Sequence, residues 1–194
     1  VITTVTPSIP VRGDHGGMLE RALASIRAQT LPPSEVVVEF DEFRQGAAAT
    51  RQRGLEKVAT DWVAFLDDDD EMKPWHLETL ARAAEESGAD YVYSWYEVSG
   101  GLDPMWQFFG QPWDDAAPHQ TTITTLVRTD LAQSVGFGGE PEPDPNGGGA
   151  YVSGEDYRFT LGCLAAGARI LHVPQVTWIW HHHGANTSGL PDRW

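Results

Sequence analysis

Three observations predict an α/β fold with a largely parallel sheet. β-Branched runs alternate with helix-period segments through the first half of the chain; the apolar run 62–66 ends in four consecutive carboxylates; and neither an internal repeat nor a convincing domain boundary interrupts the 194 residues. With 41% hydrophobic residues the chain can bury one substantial core, so a single domain over residues 1–194 is expected.

Each element has its own signal. Residues 1–6 are rich in β-branched side chains and stop at Pro7, which predicts a first buried strand. Leu19, Leu23 and Ile26 recur at helical spacing and give way to Leu31-Pro32-Pro33. Val36-Val37-Val38 predicts the second strand, the alanine-rich stretch 47–58 a helix, and residues 62–66 the third strand. A helix from Pro74 to about residue 87 follows, with Leu77, Leu80, Ala81 and Ala84 on one face. The order β-α-β-α-β-α is that of a parallel sheet.

The second half is less regular. Residues 91–95 and 124–127 read as strands, and a further strand ends in the histidines after Trp178. The stretch 100–118 carries Trp106, Phe108, Phe109 and Trp113 among prolines and glycines, a pattern that more often covers a core edge than stacks on sugar. Residues 140–149 contain no apolar side chain and predict a mobile loop.

A formal net charge of -15 argues against a nucleic-acid or anionic-membrane binder that works through a broad basic face. The lone Cys163 excludes an intrachain disulfide and a cysteine zinc site; its apolar setting reads as helix core, and a reducing, cytoplasmic compartment is expected. No stretch reaches the roughly 18 apolar residues of a membrane span, and no secretory leader is visible.

Chemistry concentrates in three clusters. Phe65-Leu66-Asp67-Asp68-Asp69-Asp70 puts dense negative charge at the C-terminal end of a buried strand, the edge where open α/β sheets hold ligands. Hard divalent cations prefer carboxylate oxygens, and one with open positions also holds nucleotide phosphates; a solvated acidic turn before a helix is the equal alternative. Ser153-Gly154-Glu155-Asp156 opens an apolar-periodic helix. It resembles a capping box more than a catalytic pair, although one of its carboxylates is a candidate general base. In Trp178-Ile179-Trp180-His181-His182-His183, alternation puts His181 and His183 on one side and His182 on the other; a mixed carboxylate and imidazole shell suits Mn²⁺. Arg12-Gly13-Asp14 and Gly147-Gly148-Gly149 read as accidental matches to an adhesion tripeptide and a dinucleotide fingerprint.

Taken together and in order, these segments resemble family 2 glycosyltransferases with the GT-A fold, a Rossmann-like, mostly parallel sheet flanked by helices. The stretch 1–6 with Pro7 resembles the opening strand and nucleotide loop. Glu35-Val36-Val37-Val38-Glu39-Phe40-Asp41 is similar to the second strand, and Thr50-Arg51-Gln52-Arg53-Gly54 to the family's Ala-Arg-Asn-x-Gly segment. Asp67 to Asp70 resembles the DxD segment, Leu126-Val127-Arg128 with Val135-Gly136-Phe137 an acceptor-side segment, Gly154-Glu155-Asp156 the ED motif, and His183-Gly184-Ala185-Asn186-Thr187-Ser188 the C-terminal His-x-x-Asn-x-Ser stretch. Two departures stand out. Few residues separate Asp41 from Gly46, which implies a trimmed nucleotide half, and Gln52 replaces the usual Asn.

The resemblance implies a metal-dependent transfer of sugar from a nucleoside diphosphate, UDP before others, to the hydroxyl of an unidentified acceptor, with inversion. It implies Asp156 as base, with Glu155 as the alternative; Pro7, Asp41, Arg51, Asp67 and Asp68 around the nucleotide-sugar; and Asp69 with His183 on Mn²⁺ or Mg²⁺. A retaining transferase and a non-catalytic sugar-nucleotide or glycan binding module on the same fold are the rival readings.

Overall fold

The computed structural model describes residues 1–9, 17–101, 112–119, 121–138 and 154–183. Expectations for Arg12-Gly13-Asp14, for Trp106, Phe108 and Phe109, for the 140–149 loop, for Ser153 and for the residues after His183 lie outside the described residues. Seven strands form one sheet: β1 (Ile2–Ser8), β2 (Glu35–Phe40), β3 (Trp62–Phe65), β4 (Glu71–Met72), β5 (Tyr91–Ser99), β6 (Thr125–Arg128) and β7 (Ile170–His181). Their spatial order is β2-β1-β3-β6-β5-β7-β4. β1, β2, β3, β5 and β7 run in one direction; β6, between β3 and β5, and β4, at the edge beside β7, run against them. The mostly parallel expectation therefore describes strand direction, while the two reversed strands make the sheet mixed.

Helices α1 (Met18–Arg27), α2 (Ala47–Leu55), α3 (His76–Ser87), α4 (Thr129–Val135) and α5 (Glu155–Ala165) cover the sheet. Alternation along β3 decides which side each residue serves. Val63 and Phe65 join Leu55 of α2, Ala132 of α4 and Phe159 and Cys163 of α5 in one core, while Ala64 joins Ala22 and Ile26 of α1 and Leu77 and Leu80 of α3 in the other. Phe65 meets Phe137 edge-on at 5.2 Å, and Phe137 stacks on Phe159 at 4.4 Å, so Phe65→Ala is expected to cost about 3–5 kcal/mol. α2 lies close against β1 because residue 54 is glycine; a Cβ there would stand 2.6 Å from Val5 Cγ1.

Some boundaries differ from the sequence reading, for physical reasons. β1 does not stop at Pro7 but continues through it to Ser8. Val5 C=O accepts from Leu66 N–H on the β3 side, and Pro7, two residues on, faces that same side beyond the last β3 pairing. The missing Pro7 N–H is thus not required. α3 begins at His76 rather than Pro74, and its Leu77 N–H, which has no partner within the helix, donates to Gln29 Oε1 at 2.9 Å, a cap supplied from the end of α1. β4 and α4 carry too few residues to show a period in sequence. Cys163 is buried and its thiol is pushed up to about 12 by burial, which leaves it an inert core residue. No helix among the described residues is long and apolar enough to cross a membrane.

Candidate active site

The C-terminal end of β3 and the start of α5 converge on one buried cation from the middle of α2, and the ends of β1 and β7 adjoin through the acids after β3. Arg51, at the middle of α2, is only 3% exposed. Its Nη2 donates to Asp67 Oδ1 at 2.6 Å, and its Nη1 donates to Glu155 Oε1 at 2.7 Å and Asp156 Oδ1 at 3.2 Å. Burial opposes the guanidinium charge, but Asp67, Asp156 and Glu155 outweigh it and keep Arg51 protonated. A planar fork with several donors suits this bridging of carboxylates from two distant segments. The resemblance puts Arg51 beside the nucleotide-sugar; among the described residues, its guanidinium donates to the acids.

The four acids after β3 do not continue as an extended strand. Asp70 N–H donates to Asp67 C=O at 3.2 Å, a turn, and carboxylate oxygens of Asp67, Asp69 and Asp70 come within 4.8 Å of one another. Asp68 points elsewhere and accepts from Ser8 Oγ at 2.7 Å. Asp69 Oδ2 lies 3.0 Å from His183 Nε2, so the two residues expected on metal are neighbours. Asp70, absent from the sequence-based site, is buried and accepts from His181 N–H at 2.9 Å. His181 Nε2 lies 2.7 Å from Glu71 Oε1, and Arg21 Nε is 3.0 Å from the same oxygen. His181 and His183 thus share the acidic side as alternation predicts, while His182 packs edge-on against Trp180 at 4.7 Å.

Crowding of like charge raises the carboxyl groups here. Burial, then Asp67, raises Asp69; burial, then Asp69 and Asp67, raises Asp70 well above the ordinary carboxylate value. Three converging carboxylate oxygens beside an imidazole, with their ionised forms destabilised by one another, fit a hard divalent cation.

Glu155 and Asp156 sit in the first turn of α5, where Gly154 is the N-cap. The capping-box reading turns on Ser153, which lies outside the described residues; both acids turn to Arg51. Burial raises Asp156, Arg51 pulls it back, and Glu155 and Asp67 raise it, up to about 7 overall. That value suits a general base at neutral pH.

Asp41 follows β2 in the expected place, but it is 4% exposed and accepts from Gln45 N–H and Gly46 N–H, both at 2.8 Å. Its carboxylate fastens the short turn that replaces the longer segment of the resembled family. Pro7 lies within β1 and brings Ser8 to Asp68. Gln52 accepts from Phe137 N–H at 2.9 Å, a reach toward the loop after α4 that the extra methylene of Gln provides. Trp113 packs against the core beside Tyr93, in agreement with the core-cover reading.

An α/β sheet with this strand order, acids at the end of β3 and an acid pair opening α5 is an architecture of GT-A type. Residues 37–130 match Glycosyl transferase family 2. The chain is 33% identical over 133 residues to the succinoglycan biosynthesis protein ExoW of Rhizobium meliloti, covering 55% of this chain and 41% of that protein. It is 26% identical over 211 residues to the pre-mycofactocin glycosyltransferase of Mycobacterium tuberculosis, covering 92% of this chain and 43% of that one. The chain thus spans less than half the length of these curated relatives. Among solved structures, S. aureus TarS 1-349 in complex with UDP-GlcNAc superposes with a TM-score of 0.74 at 16% identity, over 95% of this chain and 59% of that one. The complex of the same protein with UDP gives 0.73 at 18% identity, over 93% and 60%. At such identities the likeness is one of fold. Residues 37–130 thus carry the likeness to family 2 glycosyltransferases, and the chain has the GT-A fold.

Proposed function

We propose that residues 1–194 form one catalytic unit that transfers a sugar from a nucleoside diphosphate, UDP by preference, to an acceptor hydroxyl with inversion, in the cytoplasm and with Mn²⁺ or Mg²⁺. The observation that carries the reading is the Arg51 clamp, which joins Asp67 at the end of β3 to Glu155 and Asp156 at the start of α5. It brings the acids suited to the diphosphate and the acid suited to the acceptor to one buried cation. UDP and UDP-GlcNAc are ligands in the TarS structures of the same fold, which supports a uridine donor here.

Asp69 and His183 would hold the cation, with Asp67 and Asp70 adjoining; when bound it supplies positive charge against the departing diphosphate. Asp68, steadied by Ser8, and Asp41, after β2, stand on the donor side with Pro7. Asp156 takes the proton of the acceptor hydroxyl as that oxygen attacks the anomeric carbon from the face opposite the leaving phosphate. Glu155 shares Arg51 with it and keeps the clamp charged on both arms. Arg51 orients both acids and limits the mutual repulsion of the site.

Calorimetric titration of UDP and GDP with and without Mn²⁺ tests the proposal. Tighter binding in the presence of Mn²⁺, with UDP ahead of GDP, is expected, because phosphates complete a shell that protein residues leave open. Equal affinities in all four titrations would remove the metal-bridged donor site. Slow hydrolysis of a UDP-sugar then tests turnover before the acceptor is known.

A further inference from the structure

β7 leads into three consecutive histidines, but only two of them face the acids, and the choice is made upstream. From Tyr91 to Ser94, β5 pairs with Ile170 to Val173 in unbroken register. The pairing then skips Pro174 and Gln175, so that Trp95 meets Val176, and skips again at Thr177, so that Tyr96 meets Trp178. From there the register runs evenly to Ser99 opposite His181. Thr177 is therefore a bulged residue with no partner across this ladder.

Side chains on a strand alternate, so each single skip exchanges the two faces for everything downstream. Without the skip at Thr177, Trp180 would stand opposite Ser99 in the place of His181, His182 would take the place of His183, and His181 and His183 would turn away from Glu71 and Asp69. The bulge thus decides which imidazoles reach the acidic side.

Thr177 is held by more than its ladder position. Its Oγ1 lies 2.6 Å from His76 Nδ1 and 2.6 Å from Ser94 Oγ, and all three residues are buried. Its C=O accepts from Lys73 N–H at 2.8 Å, just after β4, which pairs with Trp178 and Ile179. His76 opens α3 and is fully buried, with burial lowering it to about 3, so it stays neutral and serves as a fixed hydrogen-bond partner. One hydroxyl accordingly joins α3, β5 and β7 at the bulge. A buried polar group in such a place has few other partners, and this fixes one register over its neighbours.

We propose that Thr177, clamped between His76 and Ser94, is a positioning residue that locks the β7 bulge and so selects His181 and His183, rather than His182, to face Glu71 and Asp69. The structural part stands on the pairing alone; its consequence for metal rests on the proposed function above.

The test uses Thr177→Val, which keeps the shape but removes the hydroxyl, and Thr177→Ser, which keeps the hydroxyl. Amide hydrogen exchange reads the register directly, because His181 N–H donates to Asp70 Oδ1 and His182 N–H to Ser99 C=O. The Thr177→Val protein should exchange faster at both amides and bind Mn²⁺ about 10- to 100-fold more weakly, as loss of groups that orient metal ligands typically does, and the Thr177→Ser protein should restore both. Ser94→Ala, which removes one arm of the clamp only, gives a milder second variant should Thr177→Val fold poorly, and should show the same changes in smaller degree. Ile26→Val, a core change in α1, controls for lost stability and should leave the two amides as they are. Unchanged exchange at His181 and His182 in the Thr177→Val and Ser94→Ala proteins overturns the lock. Faster exchange in a protein whose parent binds no Mn²⁺ keeps the lock and overturns the metal reading instead.

Discussion

Arg51 Nη2 donates to Asp67 Oδ1 at 2.6 Å, and the same guanidinium reaches across to α5. A side chain from the first half of the chain thereby ties the end of β3 to the start of α5. Removal of the guanidinium leaves three half-buried carboxylates facing one another with no cation between them.

Arg51→Met should therefore lower stability by about 3–5 kcal/mol, the usual cost of removing one partner from a buried ion cluster. Arg51→Lys should recover only part of it, because an ammonium cannot span Asp67 and Glu155 as a fork does. Urea unfolding of the three proteins reads this, and a Met variant as stable as the parent would show that the clamp carries no weight.

Asp69→Asn should weaken Mn²⁺-dependent UDP binding more than Asp68→Asn. Asp69 adjoins His183, whereas Asp68 is engaged by Ser8. Calorimetry of both variants, with and without Mn²⁺, separates them. A larger loss at Asp68 would move the cation to the other side of the turn.

Asp156→Asn should retain nucleotide binding yet lose turnover by about 10² to 10⁴-fold, the usual contribution of a general base. Donor hydrolysis measures it, and Glu155→Gln is the comparison. If the Glu155→Gln protein is inactive while the Asp156→Asn protein hydrolyses donor as fast as the parent, the base is Glu155.

The raised carboxyl of Asp156 also sets two opposite pH trends. Turnover needs the carboxylate, so it should climb as pH rises through about 7 and then level. Stability should fall over the same rise. The folded carboxyl holds its proton up to about 7 while an unfolded aspartate releases it near 3.8, so the native state binds more protons between those values and loses that advantage as pH increases. Asp69 and Asp70, raised in the same direction, add to the slope, and Asp156→Asn should lessen it without abolishing it. Denaturant midpoints between about pH 5 and pH 8 check the trend; identical slopes in parent and variant would mean that Asp156 titrates as an ordinary aspartate.

Much of the fold and half of the site are legible in the sequence. Val36-Val37-Val38 announces a strand by its β-branched residues, the run into Asp67 announces a buried one, and a strand that ends in acids marks the ligand edge. Alternation also places His181 and His183 together. The rest depends on chain geometry. Pro7 reads as a stop because sequence does not tell which side of a strand lacks a donor to satisfy. Asp70 and the inward turn of Arg51 depend on residues that meet only after the chain has crossed the sheet. The bulge at Thr177 leaves no period in the sequence, since it is defined by what it fails to pair with.

The distances along the chain have a kinetic meaning. Asp41 meets Gly46 five residues on, whereas Arg51 and Glu155 are 104 residues apart and Asp69 and His183 are 114 apart. Local contacts close quickly, and distant ones wait for the intervening loop to be ordered. A newly made or refolding chain can thus pair β1 with β2 and β3 before residues from α5 and β7 arrive, and until then its acids lack their imidazoles and Arg51 has only Asp67. Competence to bind donor belongs to the last steps of assembly, so its recovery after dilution from urea marks the completed molecule better than recovery of helix does.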